Sequence, residues 1–275
     1  MKKFITKNWS TILLVGVFIV GLSLLLYPTI SEWWNASRAS RVIGGYNSVV
    51  DQMDSAEAEK MLEEARQYNA DLLKEQNRYF PSEELHARYE SLLSLDGNGL
   101  MGSIEIPSVK IKLPLYHGLE EEILQQNIGH IEGTSLPVGG ESTHAVVSGH
   151  RGLPSAKLFT DLDQLETGDV FLFRILGKTY TYEIDQIRTV LPEEVQDLEI
   201  EEGKDLATLV TCTPYGINSH RLLFRGHRVE NRPEDFVNFG AEVRLVDKHI
   251  VAISIGVILL IGIAIWMGVK RKIGK

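Results

Sequence analysis

The chain has 275 residues, 44% of them hydrophobic, and a formal net charge of −9. An acidic chain of this kind is a poor partner for nucleic acid. Its single cysteine excludes an internal disulfide and a thiolate-rich structural zinc site.

The first element in chain order is the uncharged run TILLVGVFIVGLSLLLYPTI, residues 11–30, and the last is IVAISIGVILLIGIAIWMGV, residues 250–269. A helix of about 20 apolar residues spans the core of a bilayer. Lys2, Lys3 and Lys7 precede the first run, and Lys270, Arg271, Lys272 and Lys275 follow the second. Excess Lys and Arg stays on the cytoplasmic side of a membrane. Both termini therefore read as cytoplasmic and the part between the runs as extracellular. The tails hold 7 of the 28 basic residues and none of the 37 acidic ones, so that middle part is strongly acidic.

Each run has an alternative. A cleaved signal peptide ending near NASRAS, Asn35–Ser40, accounts for the first, although the apolar stretch is long for that role. A cell-wall sorting signal accounts for the second only if Leu-Pro-x-Thr-Gly stands upstream. NFGAEVRLVDK stands there instead, so that reading fails. The organisation expected is a cytoplasmic tail (1–10), a membrane helix (11–30), an extracellular helical preface (31–95), a catalytic β domain (96–235), a linker (236–249), a second membrane helix (250–269) and a basic cytoplasmic tail (270–275).

Within the preface, Met61, Leu62, Ala65, Tyr68, Leu72 and Leu73 recur at helical spacing among charged residues. Pro81 interrupts the pattern, and Ser82 before Glu83 and Glu84 starts a further helix. LDGNGLMG, Leu95–Gly102, brings turn signals, and alternation follows through Ile104, Ile106, Val109, Ile111 and Leu113. HAVVSG, DVFLFRIL, KTYTYEIDQI, LATLVTCT and RLLFRGHRV read as further short strands, which argues an all-β barrel or sandwich. Glu193–Asp205 is strongly acidic and reads as a solvated loop.

The lone Cys212 ends the strand LATLV and precedes the turn TPYG. A free cysteine is usually a buried core residue. Two features point to chemistry instead. Arg221 opens the next strand, which a strand–turn–strand unit returns to the side of Cys212, where a guanidinium stabilises a thiolate or an oxyanion. His150, in VVSGHRG, also sits at a strand end, and a Cys–His pair is the minimum for nucleophilic catalysis by a thiol. Seven other histidines compete, and spacing alone does not select His150 over a surface turn histidine.

TLVTC matches the sortase signature Thr-Leu-x-Thr-Cys. CTPYGINSHRLLFRG is similar to the segment around the active site of class C, pilin-polymerising sortases; SGHRG resembles their histidine motif and GLMGSIEIP the first strand of their barrel. The resemblance covers residues of roughly 95–230. It implies a mainly β fold, a closed sortase-type β-barrel with an N-terminal helical preface and two transmembrane helices. It implies a membrane-anchored cysteine transpeptidase acting on LPXTG-type pilin or surface-protein substrates, with an acceptor pilin lysine. No cofactor is expected, and no metal site either: Glu199, Glu201 and Glu202 show no EF-hand-like spacing, although some sortases of other classes bind calcium through loop carboxylates. Cys212 resembles the nucleophile, His150 the general acid and base, and Arg221 the oxyanion donor. Arg225, four residues along the same strand, shares a face with Arg221 and is the tempting wrong choice.

The chain departs from that family in its lid, for it holds no Asp-Pro-aromatic tripeptide before the barrel. RYFPSEEL, Arg78–Leu85, is the nearest candidate. Either Tyr79 or Phe80 caps Cys212 and Glu83 or Glu84 pairs with Arg221, or the two aromatics anchor the preface on the barrel. Two further functions stay open: attachment of surface proteins to cell-wall peptide, and a non-catalytic surface assembly scaffold.

Overall fold

The computed structural model describes residues 9–232 apart from Gln76 and Asp96. The second apolar run, the linker before it and both basic tails lie outside the described residues. Helix α1, Trp9–Gln52, continues the first apolar run well beyond residue 30 and carries Pro28 inside it. Leu13, Leu14, Val17, Leu24 and Leu25 are all more than half exposed along it. Among the described residues it is the one helix long and apolar enough to cross a membrane. The chain divides between Ala36 and Ser37, inside α1, into this apolar helical unit and a second unit that holds the rest of the described fold.

In the second unit the helical preface is pinned to the barrel by buried polar groups. The Tyr46 hydroxyl donates to Met101 O at 2.8 Å and accepts from Leu176 N at 2.9 Å. Helix α2, Ser55–Leu72, starts at Asp54, whose carboxylate accepts from Ala56 N. Leu62, Ala65, Tyr68 and Leu72 are buried, whereas Leu73 is 48% exposed because the helix has already ended at its capping position. Asn69 exchanges two bonds with the backbone of Leu136, at 3.0 and 2.7 Å. Helix α3, Glu83–Ser91, begins after Pro81, with the Ser82 hydroxyl accepting from Leu85 N.

The sheet closes into an eight-stranded barrel, which settles barrel over sandwich. The strands are β1 Leu100–Ile106, β2 Ile111–His117, β3 Ile128–His130, β4 Thr143–Ser148, β5 Val170–Ile175, β6 Lys178–Val190, β7 Asp205–Thr213 and β8 His220–Val229. Their order round the barrel is β1-β2-β3-β4-β7-β8-β6-β5. Two neighbouring pairs are parallel, β2 with β3 and β4 with β7. Closure comes from β1 against β5, where Ile104 faces Phe173. Alternation fills the interior: Ala207 and Leu209 on β7, Phe224 on β8, Phe171 and Phe173 on β5 and Tyr182 on β6 all join one core. The Phe171 and Tyr182 rings stack at 5.6 Å.

Two details differ from the sequence reading. β3 is only three residues long and carries too little pattern to stand out. The acidic segment between β6 and β7 is a loop, but its charges are engaged: Glu199 pairs with Arg78, Glu201 with Arg225 and Lys204, and Asp197 with Arg188. Leu198 from the same loop is buried.

A buried polar knot joins α3 to the barrel. The Tyr89 hydroxyl lies 3.0 Å from His130 Nδ1, 3.1 Å from His130 O and 3.1 Å from Gly118 N, which donates to it. On the other side of the ring, His130 Nε2 meets Ser135 O at 2.8 Å. His130 has no exposed surface, and burial pulls its pKa down to about 3.

Candidate active site

Cys212 is the penultimate residue of β7 and lies directly opposite Arg221 in the antiparallel ladder with β8. Directly opposed side chains of such a ladder stand about 4.5–5.5 Å apart at Cβ. The parallel ladder between β4 and β7 ends with Ser148 beside Val210, and Gly149 N donates to Val210 O at 3.1 Å. Two residues further along each chain stand His150 and Cys212. The two strand ends therefore deliver a histidine, a thiol and a guanidinium to one rim of the barrel.

Side-chain alternation decides which face they occupy. Val146 on β4, Val210 on β7 and Leu223 on β8 form a small cluster with Leu198, separate from the barrel core. Cys212 is two residues from Val210 and Arg221 two from Leu223, so both share that outer face. Cys212 is partly exposed, and it is a free thiol. His144, further down the same face of β4, bridges the loop between β6 and β7 to the sheet through Glu199 O at 2.8 Å and Thr208 Oγ1 at 2.7 Å.

His150 follows the end of β4. Gly149 allows the approach of Phe159, since a Cβ there would lie 2.8 Å from Phe159 Cδ2. Phe159 N donates back to His150 O at 3.1 Å, closing the loop. The imidazole Nε2 is buried, makes no hydrogen bond among the described residues and faces Glu121 Oε2 at 3.8 Å. Glu121 opens the short helix α4, Glu121–Leu124, in the crossover from β2 to β3. No spacing rule links residues so far apart in sequence, so this neighbour was not legible beforehand.

Arg221 donates to the carbonyls of Asn218, at 3.3 Å, and His220, at 3.2 Å, and makes no ion pair among the described residues. It keeps donor capacity for an incoming oxygen. Arg225 is different: its guanidinium pairs with Asp185 at 3.0 Å and with Glu201 at 3.1 Å. Its charge is spent on holding β8 to β6 and to the β6–β7 loop.

The lid candidates do not gather on the thiol. Phe80 is 83% exposed. Tyr79 is half-buried beneath the Arg78 guanidinium, whose Cζ lies 5.1 Å from the ring. Arg78 itself reaches Glu199 in the β6–β7 loop, and its carbonyl lies over Gly133. Glu83 and Glu84 occupy the first turn of α3, where negative charge suits the helix dipole, and they are exposed and unpaired with Arg221. Among the described residues no group of three or more His, Cys, Asp or Glu is placed to hold a metal ion.

Residues 104–229, which carry all of the barrel but the start of β1 together with these three side chains, match the family model of the Sortase domain. Sortase C1 of Streptococcus agalactiae has a solved structure 51% identical in sequence, with a TM-score of 0.68, covering 70% of this chain and 100% of that one. The chain belongs to the sortase family. A second solved structure, sortase C of Clostridium perfringens with the C-terminal cell wall sorting motif, is 41% identical with a TM-score of 0.62, covering 70% of this chain and 100% of that one. Among curated relatives, Sortase A of Streptococcus agalactiae is 35% identical over 131 residues, 45% of this chain. The match spans only about half of that relative's own length, 53%.

Proposed function

We propose that this protein is a membrane-anchored cysteine transpeptidase that joins pilin subunits. The observation that carries the proposal is the cross-strand pair Cys212–Arg221 with His150 at the end of the adjoining parallel strand. The Cys212 thiolate attacks the carbonyl carbon of Thr in an LPXTG-like sorting signal. Arg221 donates to the oxyanion of the tetrahedral intermediate. Collapse breaks the Thr–Gly C–N bond while His150 gives its proton to the leaving amine, leaving a thioester on Cys212. The ε-amine of a pilin lysine then attacks the thioester, His150 takes a proton from it, and an isopeptide bond forms as the thiol leaves. Helix α1 holds the catalytic unit at the outer face of the membrane, with both termini in the cytoplasm.

The similarity to C-type sortases supports pilin as substrate; the similarity to sortases named A keeps attachment to wall peptide as the second reading. Incubating the full chain in detergent micelles with an LPXTG-type peptide tests the chemistry. Intact mass spectrometry should show an acyl adduct on wild type and none on Cys212→Ala. Competing a pilin lysine against a wall-peptide amine then reads the acceptor. No adduct with any sorting signal leaves only the scaffold reading.

A further inference from the structure

The strand ladder that aligns the histidine with the thiol stops at Ser148 and Val210, two residues before them on each chain. Its last direct bond is Gly149 N to Val210 O, and beyond it the His150 carbonyl accepts from Phe159 N. Side chains on both sides of the pair continue the alignment. Thr211, immediately before Cys212, donates from Oγ1 to the carbonyl of Gly149, immediately before His150, at 2.9 Å. Thr213, immediately after Cys212, accepts at Oγ1 from Nη1 of Arg151, immediately after His150, at 3.4 Å. Both neighbours of the thiol are thus tied to the matching neighbours of the histidine. Alternation puts the two ties on the opposite side of the sheet from the catalytic face.

The second tie is built for rigidity. The Arg151 side chain is 9% exposed, and its Nη2 pairs with Asp163 while Nη1 reaches Thr213. Its Cζ lies 5.9 Å from the centre of the Tyr215 ring, three residues beyond Cys212. Gly152, at φ +81°, lets the backbone lie on that same ring, for a Cβ there would be 3.0 Å from Cε2. One guanidinium therefore holds the loop after β4, the loop after β7 and the turn carrying Asp163 in one place. Its planar fork supplies two donors at fixed angles, which a lysine ammonium does not.

The geometry points to Arg151 as a positioning residue that fixes His150 against Cys212, rather than a substrate-binding cation. The inference rests on the proposed Cys–His chemistry. Misplacing a reacting group by about 1 Å costs roughly 10²-fold in rate.

A kinetic double-mutant cycle on the full chain in micelles tests it, reading the rate of acylation by an LPXTG-type peptide for wild type, Arg151→Gln, His150→Ala and the double variant. Arg151→Gln is expected to lower the acylation rate roughly 10- to 100-fold, with peptide KM changed less than about threefold. On the His150→Ala background the same substitution is expected to change the residual rate less than about twofold, because it acts through the missing imidazole. Equal losses on both backgrounds, or no loss in wild type, overturn the inference. Arg151→Lys is expected not to rescue. Thr213→Val removes the acceptor while leaving the Arg151–Asp163 pair intact, and it keeps the test decisive where Arg151→Gln fails to fold; an unchanged acylation rate in Thr213→Val refutes the tie. A wild type that forms no adduct removes the functional reading, and this inference with it. A wild type whose acylation depends on His150 but not on Arg151 or Thr213 removes the inference alone.

Discussion

Acidification from pH 7 to pH 5 is expected to loosen the barrel above the range in which most carboxylates are protonated, and His130 is the reason. Folded, it is fully buried and pulled down to about 3 by loss of hydration; unfolded, it returns to the ordinary histidine value of about 6.5. Between those values the unfolded chain binds a proton that the folded chain refuses, so stability falls as pH falls through 6.5 and the loss is complete near 3. By pH 5 the cost is about 2 kcal/mol, an order-of-magnitude figure that corresponds to roughly 4–8 °C in melting temperature for a unit of this size. His117 and His144, both pulled down by burial, act in the same direction. His86 is raised by Glu132 and opposes them, but it is exposed and weakly coupled. Asp71, held at about 2 by Arg88, loses its contribution only below the usual carboxylate range, and Asp205, pushed up by burial, works against that loss. The assay is calorimetry or tyrosine near-ultraviolet dichroism of the full chain in micelles at pH 7, 6 and 5. Tryptophan fluorescence is unsuitable, since Trp9, Trp33, Trp34 and Trp266 all lie in or beside the apolar runs. His130→Gln should flatten the decline to what His117 and His144 contribute. A melting temperature constant from pH 7 to pH 5, falling only below pH 4, refutes the argument.

Three further outcomes follow from the same structure. Arg221→Ala should cut acylation of Cys212 by roughly 10²- to 10³-fold, the range for loss of one oxyanion donor, whereas Arg225→Ala should lower the melting temperature and leave acylation within a few-fold; equal losses in peptide-acylation assays contradict the assignment. Gly149→Ala places a methyl 2.8 Å from the buried Phe159 ring, so a loss of about 1–3 kcal/mol in stability and a slower acylation are expected together, and a variant with wild-type rate and melting temperature refutes the close approach. Glu105 is 1% exposed between Lys112 Nζ at 2.7 Å and Arg174 Nε at 2.9 Å, so Glu105→Leu should cost about 1–3 kcal/mol by calorimetry, below the full penalty of a broken buried pair because both cations reach water; stability unchanged or increased sinks that expectation.

What the sequence made legible tracks how local each signal is. The Cys212–Arg221 neighbourhood lies within one hairpin, so a nine-residue spacing was enough to bring the pair together, and the register bears out their juxtaposition. Barrel over sandwich, by contrast, depends on β1 meeting β5 and β4 lying parallel to β7, pairings between segments tens of residues apart that no alternation pattern encodes. His150 could not be selected among eight histidines by spacing, because its place is set by that same parallel ladder. The spare histidines have other work: His130 and His144 are bonded on both ring nitrogens. The apolar run ends near residue 30, whereas helix α1 continues to Gln52 through Gly44 and Gly45, so tertiary bonds such as those of the Tyr46 hydroxyl, not helix propensity, support its last turns.

The site's face bears on why such a chemistry favours an amine over water. The barrel interior is filled by Phe171, Phe173, Tyr182, Leu209 and Phe224, so no reaction can be housed inside it. Cys212 and Arg221 stand on the outer wall, on the face of the apolar cluster of Val146, Val210 and Leu223, which Leu198 from the β6–β7 loop joins. Such a cluster excludes water from one side only. The other side must be closed by the bound sorting signal, and a thioester exposed after the leaving peptide departs is open to hydrolysis. In the proposed reaction a precise Cys212–His150 alignment matters most in the second half, when His150 is to accept the proton of the incoming amine before water competes. The ties from Thr211 to Gly149 and from Arg151 to Thr213 hold that alignment from behind the sheet, where substrate exchange does not disturb them.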